Sequence, residues 1–113
     1  MKSSSAKDKG RRLQQMAVGW ILNRWTGLHK DDVRSQSMGA RGEDVPMSPK
    51  ARSKFPFSIE CKFRERINVY KFYQQAVDNA GDHQPALIIK SNHKVPLIVL
   101  DAEWFINNWN KSK

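Results

Sequence analysis

The chain contains one cysteine, Cys61, which excludes an internal disulfide and a cysteine-rich zinc site. No apolar run approaches the roughly 18 residues that a membrane-spanning helix needs. The Ser/Lys-rich start, MKSSSAKDK, lacks the apolar stretch of a secretory signal behind it. The expectation is a cytoplasmic protein that does not engage membranes. His29, His83 and His93 share no metal-ligand spacing with one another or with Cys61 and read as surface or loop residues. There is no Gly-rich phosphate loop and no nucleophile elbow. Acid is scarce: eleven Asp/Glu face twenty Lys/Arg, for a formal charge of +9 and a pI near 10.0. In a domain this small, that imbalance suits a polyanionic partner, with nucleic acid ahead of an anionic membrane.

What is present is enough for one packed domain. At 113 residues and 39% hydrophobic, with four Trp and five Phe, the chain can bury a modest core. Residues 1–10 read as a flexible basic arm and 11–113 as a single domain. From about Arg11, the residues Leu13, Met16, Ala17, Trp20, Ile21 and Trp25 recur at three- and four-residue spacing, the apolar face of a helix that Gly27 can stop. Residues 27–42 are polar and irregular, a loop or a short strand, and Pro49 to Phe55 reads as a further connection. Phe57 to Lys62 alternates as a strand, with Phe57, Ile59 and Cys61 on one face and Ser58, Glu60 and Lys62 on the other. Asn68 can cap a helix running to about Asn79, with Val69, Phe72, Tyr73 and Ala76 inward and Gly81 at its end. Ala86–Ile89 and Val95–Leu100 suit a hairpin, and Asp101 can cap a short last helix carrying Glu103 in its first turn. The expected fold is α/β, a single mixed sheet flanked by helices in the approximate order α-β-β-β-α-β-β-α. Trp20 and Trp25 fit the core face, Tyr70 and Tyr73 are expected to pack, and Trp104 and Trp109 suit a dimer interface.

The chemistry centres on Glu60 and Lys62. Two apart on a strand, they point to one face. Asp44 lies upstream in a short segment that can pair with that strand, so two carboxylates and an ammonium can converge. Close carboxylates repel and call for a cation between them. Hard oxygen donors suit Mg²⁺, with Mn²⁺ as a substitute, and the backbone carbonyl of Cys61 lies between the two side chains as a further donor. A metal acidifies water into a nucleophile and screens charge on a phosphodiester, and Lys62 can position that water or stabilise the developing charge. Plainer readings stand beside this one: Asp44 as a turn residue after Gly42, and Glu60 with Lys62 as a solvated pair on an open sheet face. Arg34, Ser37 and Arg41, in the loop before Asp44, can reach phosphates or serve only as solvated surface.

The set GED at 42–44 with ECK at 60–62 resembles the PD-(D/E)xK nuclease superfamily. The wider pattern, VRSQSMGARGEDV, SPKARSKFPFSIECK, YQQAVDNAG and PLIVLD, resembles its small phage and archaeal-type Holliday junction resolvases over about residues 9–108. The resemblance implies a restriction-endonuclease-like core and metal-dependent DNA cleavage by a homodimer, with branched four-way junctions as preferred substrate. It implies Asp44 and Glu60 as metal ligands, Lys62 as the catalytic lysine and Gln75 as a supporting residue on the following helix. Such resolvases carry a glutamate on the first helix in a pattern like GRRxE. Here the stretch is GRRLQQ, with Arg11 and Arg12 followed by Gln14 at the acid's position. Gln14 can still meet a phosphate or a metal-bound water but adds no charge, and Glu43 and Asp32 are candidates to restore it. Two other readings stay open: a nicking or repair endonuclease on other DNA structures, and a non-catalytic DNA-binding module with a degenerate site.

Overall fold

The computed structural model describes residues 3–37 and 41–109. The first helix, α1, runs from Ser3 to Arg24. It therefore begins well before the periodic stretch, inside the segment expected to be an arm; residues 1 and 2 of that arm lie outside the described residues. Nothing in SSAKDK breaks a helix, so the helix continues N-terminal to the point where its apolar face begins.

Short α2 (Pro49–Lys54) replaces the expected connection. Pro49 reads as a breaker in sequence, but at the first helical position its missing N–H is no loss. Ser48 caps that helix by accepting the Ala51 N–H at 3.1 Å. Strand β1 (Phe57–Phe63) follows, then α3 (Val69–Ala80), capped by Asn68 on the Lys71 N–H and ended by Gly81 at a φ of 58°. Strands β2 (Gln84–Lys90) and β3 (Leu97–Val99) form the hairpin. Asp101 caps α4 (Ala102–Asn108) through the Trp104 N–H at 2.8 Å.

The sheet has the order β1-β2-β3, with β1 and β2 parallel across the α3 crossover and β2 and β3 antiparallel. This is the α/β class expected, one mixed sheet flanked by helices. Where two or three strands were expected before α3, however, β1 is the sole one among the described residues, accompanied there by a single antiparallel bridge, Val33 to Met47. Around that bridge, the Arg34 N–H donates to the Pro46 carbonyl and the Gln36 N–H to the Asp44 carbonyl. The ladder stops there for a chemical reason. Pro46 has no N–H to give, and a carboxylate, not a carbonyl, takes the next β1 donor.

Helix α1 covers one face of the sheet. Leu13, Ala17 and Ile21 pack with Ile59, Cys61 and Ile88 in the main core. Helix α3 covers the other face, burying Phe72, Ala76 and Ala80. Leu87 is paired with Glu60 and so shares that second face. A run of rings, Trp25–Phe55–Phe57–Trp104, with centroids 4.6 to 6.0 Å apart, ties the end of α1 and the start of β1 to α4. Trp20 does not join the core. It is 45% exposed, at the edge of the α1 face, and Tyr70, expected to pack, stands free on α3 at 89%.

Candidate active site

The site sits where the segment carrying Asp44 meets the outer edge of β1. The Asp44 N–H donates to the Ile59 carbonyl at 2.9 Å, and Asp44 Oδ2 accepts the Cys61 N–H at 2.7 Å. The side chain thus takes the place of the next rung of a β-ladder, which locks its carboxylate to the strand. In an extended strand, the N–H and C=O of one residue leave on the same edge. The Cys61 carbonyl therefore points to the edge where Asp44 lies.

Glu60 and Lys62 emerge on the α3 face. That face is not the open sheet surface considered from sequence. Ser58 is 2% and Glu60 6% exposed, because α3 lies over them. Lys62 Nζ stands 3.7 Å from Glu60 Oε2 and over the Phe72 ring, 4.9 Å from its centroid. Glu60 Oε1 accepts a hydrogen bond from Asn79 Nδ2 at 3.2 Å.

Electrostatics follow from this enclosure. Burial raises the Asp44 carboxyl above its ordinary value, opposed by the Cys61 N–H and the Lys62 charge. Burial also raises Glu60, and the Asp44 charge raises it further, while Asn79 and Lys62 act the other way. Glu60 therefore carries the cost of the Asp44 charge as well as of its own burial, and one ammonium does not fully offset it. The Cys61 thiol is pushed up by burial and then by both carboxylates, so it stays protonated and is no nucleophile.

The structure thus brings Asp44, Glu60, Lys62 and the Cys61 carbonyl together. Gln75 is half-buried on α3, one turn before Asn79. The hydrogen bond to Glu60 comes from Asn79, a residue that sequence reasoning missed. Its one signal was four-residue spacing from Gln75, which puts both on the same helix face.

Gln14 requires correction. Expected to meet DNA, it is 3% exposed and accepts the Ser35 hydroxyl at 2.6 Å. It lies on the inward side of α1, beside Leu13, and a covered side chain cannot reach a phosphate from outside. Neither candidate for the missing charge is free to supply it. Glu43 pairs with Arg52 at 2.7 Å, and Asp32 accepts the Ser48 hydroxyl and the His29 N–H. Among the described residues, no group of three or more His, Cys, Asp or Glu side chains could hold a metal. Arg11, Arg12, Arg34, Ser37 and Arg41 are all exposed.

The family described as "Phage putative PDDEXK endonuclease" matches residues 5–113. The chain belongs to this phage PDDEXK endonuclease family. Its Glu60-Cys61-Lys62 triplet has the D/E-x-K form in the family's name, and the match spans every element from α1 to α4. As a PDDEXK endonuclease chain, it has none of the three histidines near the two carboxylates in sequence, and all three are exposed. No curated protein and no solved structure matches it. Among the described residues, no helix is long and apolar enough to cross a membrane.

Proposed function

We propose that this PDDEXK endonuclease cleaves DNA in a metal-dependent reaction at Asp44, Glu60 and Lys62, and that it is a resolvase-like homodimer selective for four-way junctions. The observation that carries the reading is the enclosure of two mutually repelling carboxylates, Asp44 and Glu60, with a single ammonium beside them. The donor set fits one hard divalent cation. The carboxylates of Asp44 and Glu60 and the carbonyl of Cys61 would hold it, all through oxygen, the chemistry that Mg²⁺ and Mn²⁺ prefer. Among the described residues no third acid is grouped with them, so water and substrate phosphate would complete its shell. A bound ion would neutralise phosphodiester charge and acidify water at neutral pH.

The chain's own residues do the remainder. Lys62 presents its ammonium to a phosphate oxygen, where preorganised positive charge stabilises the transition state. Asn79 holds Glu60 by one oxygen and keeps the other turned toward Lys62. Gln75, one turn back, supports the same wall. Arg11, Arg12, Arg34, Ser37 and Arg41 supply exposed contacts to the DNA backbone.

For the dimer, the favourable observation is an apolar face away from the site. A groove of about 350 Å³ between α1 and β3 is lined by Trp20, Ile21, Leu97 and Ile98 among others, with Arg24 its one charged residue, and Val95 and Ile106 are each 73% exposed. From Val95 to Trp109 there is no Lys or Arg, in a chain of net charge +9. Two such chains can meet there with little repulsion, and a two-fold pair matches the two symmetric strands of a junction.

Sedimentation and a binding titration at moderate salt test the finer part. A dimer that binds a four-way junction at least tenfold more tightly than an equal-length duplex is expected. A monomer, or a junction-to-duplex ratio near one with cleavage intact, overturns junction selectivity and leaves a general endonuclease.

A further inference from the structure

Past Lys62, the end of β1 gathers cations that no spacing along the chain groups. Arg64 stacks on the same Phe72 ring as Lys62, with its guanidinium carbon 5.0 Å from the centroid. On the opposite face, Lys9 of α1 and Lys90 of β2 lie 5.5 and 5.1 Å from the centroid of one ring, Phe63. The Arg64 N–H donates to the Lys90 carbonyl at 3.0 Å, so the two pairs are neighbours across the sheet. Lys90 Nζ in turn donates to the Lys94 carbonyl at 2.7 Å, holding the turn with Lys94 against the group. The charges on each ring therefore lie within roughly one Debye length at 0.1 M salt, about 10 Å.

Like charges this close raise the free energy of the folded chain unless something offsets them. Ion pairs do not. Among the described residues, Lys9, Arg64 and Lys90 form none, the pairs being Arg52–Glu43 and Lys62–Glu60. The acid next to Arg64 in the chain, Glu65, accepts the Asn92 N–H at 2.8 Å and, among the described residues, forms no ion pair. The rings orient the cations without neutralising them. The residues expected from sequence to touch DNA (Arg11, Arg12, Gln14, Arg34, Ser37 and Arg41) include none of these.

We propose that Lys9, Arg64 and Lys90 form a phosphate-tracking surface that leads one DNA strand from the C-terminal ends of β1 and β2 onto Lys62 and the carboxylate pair. This rests on the nuclease reading of that pair. The surface is continuous with it through the shared Phe72 ring, and its occupant is a polyanion whose charges repeat at close intervals. Discrete contacts of this kind carry a countable signature, because each neutralised phosphate adds about 0.9 to the slope of log affinity against log salt.

The experiment compares two triple variants of equal charge in a duplex-binding titration over a salt series, with chelator present so that no cleavage intervenes. One is Lys9→Gln/Arg64→Gln/Lys90→Gln. The other is Lys30→Gln/Lys50→Gln/Lys54→Gln, at the end of β1 remote from the cluster. The first is expected to lower the slope magnitude by about 2–3 and to weaken binding more than tenfold at 0.1 M salt. The second should change the slope by less than one. Thermal melts identify a variant that fails to fold, and the pair Arg64→Met/Lys90→Met, which keeps the stems on the rings but removes the charge, then gives the same reading. Equal losses in the two triples, or a wild-type slope in the folded cluster variant, overturns the proposal. A wild-type chain that never cuts DNA with Mg²⁺ instead overturns the nuclease reading, and that assay is independent of the slopes.

Discussion

Glu60 shows how a site residue can oppose the fold that holds it. Its carboxyl sits above its ordinary value of 4.5, first through burial and then through Asp44. The folded chain therefore binds this proton more tightly than the unfolded chain. Stability from this group is complete below the ordinary value and is lost as pH rises through the raised one. Glu60→Gln keeps an acceptor for Asn79 and removes the charge. Without divalent metal, it should melt a few degrees above wild type at neutral pH, with the gain gone below about pH 4. Thermal unfolding across pH with chelator checks this, and an unchanged or lowered melting temperature at neutral pH contradicts it. Glu60 and Lys62 were legible as neighbours in sequence because strand alternation alone places them together, whereas Asp44 rested on the expected pairing of its segment with that strand. Asn79 was not, since its contact depends on the distance between α3 and β1, which no periodicity encodes. Gln14 was misjudged for a related reason: an amide next to Leu13 on a helix face can point inward when a hydroxyl, here Ser35, waits for it.

At the scale of elements, the decisive feature is how an irregular segment holds Asp44 against a strand. Arg52 of α2 makes the clamp. Its NH2 meets Glu43 Oε2 at 2.7 Å and its NH1 donates to the Phe57 carbonyl at 3.1 Å. One cation thereby ties the residue before Asp44 to the first residue of β1. Glu43 Oε1 is buried with no hydrogen-bond partner, so removing Arg52 would leave a largely uncompensated carboxylate. Arg52→Ala should cost about 1–3 kcal/mol of stability and lower kcat more than it raises KM, as the Asp44 carboxylate loses its fixed position. Arg52→Lys should recover part of the stability but little of kcat, because an ammonium cannot bridge both acceptors as the guanidinium fork does. Denaturant unfolding with steady-state cleavage kinetics checks both, and a full kcat in Arg52→Ala contradicts the clamp. This element was hidden in the sequence. Pro46 and Pro49 read as breaks, whereas Pro49 starts α2 and Pro46 accepts a bond it could not have donated. The helices α3 and α4, by contrast, were legible to within a residue or two because their ends are set locally, by the side chains of Asn68 and Asp101 and by the positive φ of Gly81.

At the scale of the whole molecule, charge and apolarity are segregated. Exposed cations run along α1, the loop before Asp44 and the far end of the sheet. The exposed apolar residues of β3 and α4 occupy a stretch without a single Lys or Arg. Net charge foretold a polyanion but not its path, because that path depends on which cations the fold makes neighbours. In the proposed function both surfaces serve Asp44, at the outer edge of β1, and Glu60, under α3, so what these two carboxylates do decides it. Cleavage of end-labelled DNA tests it most directly, using wild type, Asp44→Asn and Glu60→Gln, each with Mg²⁺ and with excess chelator. Wild type should cut only with Mg²⁺, and each variant should be slower by roughly 10²-fold or more while still binding DNA. Cleavage that persists in excess chelator, or wild-type rates in both variants, would contradict the account.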